Sequence, residues 1–152
     1  MAARKGSAEW SGGLKDGGGK VKVGDGVFAG NYSFSSRFEE GTGTNPEELI
    51  AAAHASCFAM ALSAALEKAG NPADSVEAEA GVHLRFVDGA PTIAQIDLEV
   101  VGVVPGIDSD SFVATAEEAK AACPVSRALA GVPEINLTAR LADSPRPPAV
   151  HR

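Results

Sequence analysis

Two cysteines, Cys57 and Cys123, are the side chains in this sequence best suited to covalent chemistry, and they stand 66 positions apart. That spacing does not fit the disulfide framework of a small secreted domain, a Cys-x-x-Cys motif or a zinc knuckle. In a reducing compartment two such thiols are either buried apolar residues or a redox pair, and spacing alone leaves both readings open. Their contexts differ. Cys57 lies in the middle of a long uncharged stretch, where a thiol left alone is a small hydrophobe with a raised pKa. Cys123 directly precedes Pro124. Proline at a first helical position makes Cys123 the cap of a new turn, with its sulfur near free backbone donors that favour thiolate. One cysteine on a rigid helix and another at a helix junction suit a reactive and a resolving thiol. His54 precedes Cys57 by three residues on the same helix face, so a Cys–His nucleophile pair is the rival chemistry. The balance favours His54 as a core or interface histidine. His83 and His151 have no metal-ligand spacing.

The element that carries Cys57 is the clearest in the chain. Thr44-Asn45-Pro46-Glu47-Glu48 is a helix start: Asn45 caps, Pro46 fits the first turn, Glu48 has capping-box spacing, and both glutamates face the positive end of the helix dipole. Gly70 and Asn71-Pro72 stop the helix. Its length is about 25 residues, or roughly 37 Å. Leu49 to Leu66 carries no formal charge, a length that invites a membrane-spanning reading. Its alanine content, its polar His54, Ser56 and Ser63, and the lack of an aromatic belt argue instead for a buried central helix approached closely by another helix.

Around this helix the pattern is mostly strand. Pieces near Trp10, Val21 and Phe28 to Phe34 read as three antiparallel strands, the first two joined by a glycine-flanked hairpin at Leu14-Lys15-Asp16. The glycines there do not form a phosphate loop, because no Gly-x-x-x-x-Gly-Lys-Ser/Thr pattern is present. Val76 to Phe86 and Thr92 to Val104 are two long alternating strands joined at Asp88-Gly89. A second helix capped by Asp108 or Ser109 runs to about Cys123, a short turn follows Pro124 through Leu129, and Val132 to Leu141 is a last strand. The order β-β-β-α-β-β-α-β is α+β with mainly antiparallel pairing. Residues 1–142 read as a single domain and residues 143–152, with three prolines, as a disordered tail.

Composition sets the class. The chain has 152 residues and a formal net charge of −7, which argues against nucleic-acid binding and against docking on an anionic membrane. The first residues show no apolar stretch of a signal peptide, so a cytoplasmic location is expected. Hydrophobic residues make up 45%, but alanine accounts for 28 positions and glycine for 17. So few large apolar side chains make a lean core for a monomer of this size, and a second subunit is expected to complete it.

The stretch from Asn45 to Leu62, Asn-Pro-Glu-Glu-Leu-Ile-Ala-Ala-Ala-His-Ala-Ser-Cys-Phe-Ala-Met-Ala-Leu, closely resembles the central-helix signature of the OsmC family (osmotically inducible protein C), relatives of the organic hydroperoxide resistance proteins. Ser36-Arg37-Phe38-Glu39, Val104-Pro105-Gly106-Ile107-Asp108 and Ala119-Lys120-Ala121-Ala122-Cys123-Pro124-Val125-Ser126 agree as well, and the resemblance covers about residues 5–141. His54 and the position of Arg37 favour OsmC over the hydroperoxide-resistance subgroup.

The resemblance implies an OsmC-like fold, antiparallel sheets wrapped around long central helices in an intertwined homodimer. It further implies a thiol peroxidase for organic hydroperoxides, with Cys57 peroxidatic, Cys123 resolving, Arg37 activating and Glu47 holding Arg37. No metal or organic cofactor is implied, only an external reductant, a lipoyl group or another dithiol. The chemistry agrees. A buried cysteine needs a cation to become thiolate, an arginine can also bind the leaving alkoxide, and a buried arginine needs a carboxylate. Glu47 and Cys57 are ten residues apart on one helix, about 15 Å along its axis. Both cysteines of one chain are therefore expected to meet the Arg37–Glu47 pair of its partner. Phe38, Ile50, Phe58 and Met60 are candidates to line an apolar substrate pocket. Two rivals stand beside this reading: a Cys57–His54 hydrolase or transferase, and a non-enzymatic stress-response dimer.

Overall fold

The computed structural model describes residues 1–145, so most of the expected tail lies outside the described residues. Two compact units divide at Leu49/Ile50.

The first unit is a three-stranded antiparallel sheet in the order β1-β2-β3, with β1 at Gly6–Ser11, β2 at Gly18–Val23 and β3 at Phe28–Tyr32. Ser11 pairs with Gly18 across the expected hairpin. The third strand is shorter than its sequence pattern suggests. It ends at Tyr32 because Ser33 and Ser36 form a reciprocal capping box that starts a short helix α1, Phe34–Phe38. The chain then returns to the sheet, with Thr44 N donating to Asn31 O at 2.9 Å. Gly43 sits at φ 110, and a Cβ there would lie 2.6 Å from Asn31 O, so this return requires glycine.

Helix α2, Pro46–Lys68, begins in the first unit and runs unbroken into the second. Asn45 caps it, its Oδ1 accepting from Glu48 N at 2.9 Å. Glu48 does not return the bond of a capping box. Its carboxylate accepts from the Thr44 hydroxyl at 2.8 Å. The helix closes through Gly70 at φ 87, which lets Asn71 N reach Leu66 O at 2.9 Å.

In the second unit β4 (Ser75–Val87) and β5 (Ala90–Val103) form the long antiparallel pair. Asp88 (φ 50) and Gly89 (φ 79) supply the two positive φ values of a two-residue hairpin. Helix α3, Ser109–Ala122, is capped by Asp108, and α4, Pro124–Ala128, restarts the chain after Cys123. The last strand β6, Glu134–Leu141, pairs with β5 in parallel. Among the described strands this pair departs from antiparallel pairing, as does the isolated Tyr32–Thr44 bridge. The route through α3 and α4 carries the chain back across the sheet, as a parallel neighbour requires.

The core of this unit is built on one stripe of α2. Phe58, Leu62 and Leu66, spaced four residues apart, are fully buried with Leu98 and Val100 of β5 and Phe112, Ala116 and Ala119 of α3. Cys123 belongs to the same cluster. Gly102 on β5 makes room for Phe112, since a Cβ there would lie 2.6 Å from its ring. The opposite stripe of α2, including Ala52, Ser56, Met60 and Ser63, is exposed, Met60 by 76%. The sequence reading of a helix buried on all sides is therefore not met within one chain. Its most apolar window, of mean hydropathy 1.8, is only 22% buried.

Candidate active site

Each of the four expected residues has a defined environment, and they fall into two pairs, one in each unit. In the first unit Arg37 stands in the last turn of α1 and Glu47 in the first turn of α2. Arg37 Nη2 donates to Glu47 Oε1 at 2.8 Å, and Nε donates to both carboxylate oxygens at 3.2 Å. Such a fork fixes the guanidinium plane as well as its charge. Glu47 is only 8% exposed, whereas the Arg37 side chain remains 35% exposed. The carboxylate is thus the buried anchor and the arginine keeps an open side.

The backbone around this pair is held by polar bonds. Asn45 Nδ2 donates to Ser36 O at 2.9 Å, and Ser36 Oγ donates to Thr44 O at 2.8 Å. These two bonds join α1 to the start of α2, the segments that carry Arg37 and Glu47. The Phe38 ring lies 5.3 Å from the Arg37 guanidinium carbon, within cation–π range.

In the second unit Cys57 and Cys123 are free thiols, Cys57 partly exposed and Cys123 fully buried. The Cys57 side chain packs against the buried cluster that contains Cys123, and each thiol perturbs the acidity of the other. Their acidities diverge in the directions read from their contexts. Burial pushes the Cys57 thiol up, the Val125 backbone bond opposes this, and the neighbouring Cys123 adds to it. Burial also acts against the Cys123 thiolate. It is outweighed by the backbone N–H of Ser126, the Cys57 thiol, the Ser126 hydroxyl and the Val125 N–H, and the Cys123 pKa is lowered. Cys123 makes no cap bond of full geometry, so these donors act on the sulfur chiefly as oriented dipoles. The groups that shift Cys57 all belong to its own unit and include no cation.

His54 is not a satisfied core histidine. It is fully buried, its Nε2 lies 2.7 Å from Ser126 Oγ, and its Nδ1 has no partner among the described residues. Burial lowers its pKa. Its contact is with Ser126, and it is not among the groups that perturb Cys57. Sequence reading missed this pairing. The available signal was a serine three residues after the second cysteine, which the first turn of α4 brings back beside it.

The pocket candidates are corrected in one case. Phe58 is wholly inside the core and lines no substrate surface. A cleft of about 460 Å³ in the first unit is lined by Glu9, Lys20, Asn31, Tyr32 and neighbouring glycine and serine positions, and by none of the four site residues. Among the described residues no group of three or more His, Cys, Asp or Glu side chains is placed to hold a metal ion.

Known proteins are similar to this chain in sequence and in fold. The chain is 47% identical over 127 residues to peroxiredoxin OsmC of Escherichia coli (strain K12), a match that covers 83% of this chain and 89% of that protein. It is 35% identical over 100 residues to the organic hydroperoxide resistance protein of Xanthomonas axonopodis pv. citri (strain 306), covering 64% and 68% of the two chains. The solved structure of the organic hydroperoxide resistance protein OhrB of Bacillus subtilis is similar at a TM-score of 0.65, with 26% identity over 91% of this chain and 98% of that one. A Legionella pneumophila organic hydroperoxide resistance protein OsmC shares the fold at a TM-score of 0.71, with 23% identity and coverage of 92% and 99%. The family described as OsmC-like protein matches residues 39–138, a span that includes Glu47, Cys57 and Cys123. By its α+β fold, its two cysteine contexts and these matches, the chain belongs to the OsmC-like family.

Proposed function

We propose that this protein is a cysteine-based peroxidase that reduces organic hydroperoxides to alcohols in stress defence. The observation that carries the reading is the meeting in one packed cluster of two free thiols from distant parts of the chain, Cys57 partly exposed and Cys123 buried. The relatives named peroxiredoxin OsmC and organic hydroperoxide resistance protein support it.

The reaction runs in three balanced steps. The Cys57 thiolate attacks the distal oxygen of R-O-O-H. The O–O bond breaks, the alkoxide takes a proton and leaves as alcohol, and Cys57 becomes a sulfenic acid. Cys123 then attacks that sulfur, forming the Cys57–Cys123 disulfide and releasing water. A dithiol, either a lipoyl group or another small dithiol, reduces the disulfide and is itself oxidised to a cyclic disulfide. No metal, haem, flavin or nicotinamide takes part. The cycle needs reducing surroundings, in keeping with a cytoplasmic location.

Cys57 needs a cation for the first step, because its own unit raises its pKa. Arg37, anchored by Glu47 and open on one side, has the needed chemistry. Ten residues of one continuous helix separate Glu47 from Cys57, about 15 Å. The reading is therefore a homodimer in which the Arg37–Glu47 pair of the partner subunit completes each thiol site. The exposed, uncharged small-residue face of α2, with Ala52, Ser56, Met60 and Ser63, supports such a pairing.

The test is to titrate reduced protein with cumene hydroperoxide while counting free thiols and measuring mass. The reading expects loss of both thiols per chain in the wild type, and a trappable sulfenic acid in Cys123→Ser. Unchanged thiols would leave the non-enzymatic dimer. A Cys–His hydrolase would instead lose its activity in His54→Ala and keep it in Cys123→Ser. The observed partner of His54 is Ser126, which does not favour that reading.

A further inference from the structure

The buried His54–Ser126 contact is used by no step described so far. Both side chains lie in the second unit, His54 fully buried and Ser126 8% exposed, and their Nε2 and Oγ atoms are 2.7 Å apart. His54 Nδ1 is buried with no partner among the described residues. That orphan bears on which ring nitrogen carries the proton. Burial keeps the ring neutral, and a neutral imidazole carries one N–H. A buried N–H without an acceptor is costlier and rarer than a buried lone pair without a donor. The proton therefore sits on Nε2 and is donated to Ser126 Oγ, leaving the serine O–H free for a third group. Ser126 is the third residue of the turn that Cys123 begins, closed by Arg127 N donating to Cys123 O at 3.0 Å. Cys123 and Ser126 thus stand at the cap and in the first turn of the same short helix, and both side chains are buried.

We propose that His54 and Ser126 are positioning residues: a buried relay, His54 Nε2–H to Ser126 Oγ and Ser126 O–H to Cys123 Sγ, that holds the resolving sulfur for attack on oxidised Cys57. This inference rests on the peroxidase reading for its chemical step. In that step the Cys123 sulfur bonds to the Cys57 sulfur and the S–O bond of the sulfenic acid breaks. The hydroxide leaves as water with the proton that Cys123 gave up. Cys123 is oxidised, the sulfenic sulfur is reduced, and no further oxidant is needed.

The relay predicts a defect confined to resolution. In Ser126→Ala, sulfenic acid formation at Cys57 keeps its rate after one equivalent of cumene hydroperoxide. Disulfide formation slows by about tenfold or more, as loss of a hydrogen bond to a charged group implies. Ser126→Thr, which retains the hydroxyl, restores the rate. His54→Leu slows resolution less than Ser126→Ala, because the hydroxyl remains. A second readout needs no peroxide. In a Cys57→Ser background the ultraviolet absorbance of the Cys123 thiolate is titrated with pH, and adding Ser126→Ala moves the titration to higher pH. An unmoved titration, or resolution as fast in Ser126→Ala as in the wild type, would overturn the relay. A moved titration in a protein whose thiols ignore hydroperoxide upholds the relay and overturns the peroxidase reading instead.

Discussion

The two units differ in whether they bury large apolar side chains. Residues 1–49 bury Ser36 and Glu47 and no large hydrophobic side chain, while Leu14, Val23, Val27 and Phe28 stand exposed. A three-stranded sheet with so little apolar burial is marginal by itself. The second unit has a contiguous apolar cluster on Phe58, Leu62 and Leu66 with a cysteine inside it. The charge that a buried thiol needs and the thiols themselves are thus held by different means. Polar bonds between two short turns hold Arg37 and Glu47. Packing holds Cys57 and Cys123. The lesson is that the first unit keeps Ser36 and the Glu47 carboxylate from water in place of a large apolar core, and leaves Arg37 partly open.

That contrast can be broken from either side. The largest effect is expected from Cys57→Ser, which reduces hydroperoxide consumption to the uncatalysed background while the fold is retained, checked by a peroxide assay beside circular dichroism. Arg37→Ala comes next. Loss of the activating cation and of the donor to the leaving oxygen lowers kcat/KM by about a hundredfold to a thousandfold. Adding Glu47→Ala to it costs little more, because the two act as one unit.

Stability variants sharpen the other side. Leu62→Ala empties the centre of the α2 stripe, is expected to cost about 2–5 kcal/mol, and is read by denaturant unfolding. The mildest effect comes from Asp97 on β5, whose carboxyl is held down at about 2 by hydrogen bonds from Asn136, Gln95 and His83. A carboxyl below its unfolded value of 3.8 contributes stability that is present above that pH and lost as pH falls towards about 2. The side chain is 38% exposed, so screening by water keeps the contribution small. Comparison of acid unfolding between wild type and Asp97→Asn checks it, the difference appearing only above that acid window.

Much of this was legible in the sequence, for local reasons. Asn45 and Pro46 mark a helix start and Gly70 a stop without help from packing, and Asp88-Gly89 can form little except a tight hairpin. The two thiol contexts were readable because Pro124 forces a new turn at Cys123 while uncharged neighbours surround Cys57. The parallel register of β6 was not legible, because Glu134–Leu141 has the same alternation whichever neighbour it joins. Helix α1 was hidden because its capping box uses two serines in place of the usual serine and glutamate. The His54–Ser126 contact links residues 72 positions apart, a pairing that only tertiary packing creates. Arg37 had no local signal of function, and its role was suggested by resemblance alone.

The central claim is that thiols from one chain and the charge pair from its partner make one site, and subunit mixing tests it most directly. Cys57→Ser and Arg37→Ala chains, each inactive alone, are dissociated, combined in equal amounts and reassociated. A mixed dimer then holds one site with an intact Cys57 and the partner subunit's intact Arg37. The account predicts recovery of roughly a quarter of wild-type peroxide reduction, half the dimers being mixed with one working site each. A mixture of verified mixed dimers that stays as inactive as its parents would contradict it.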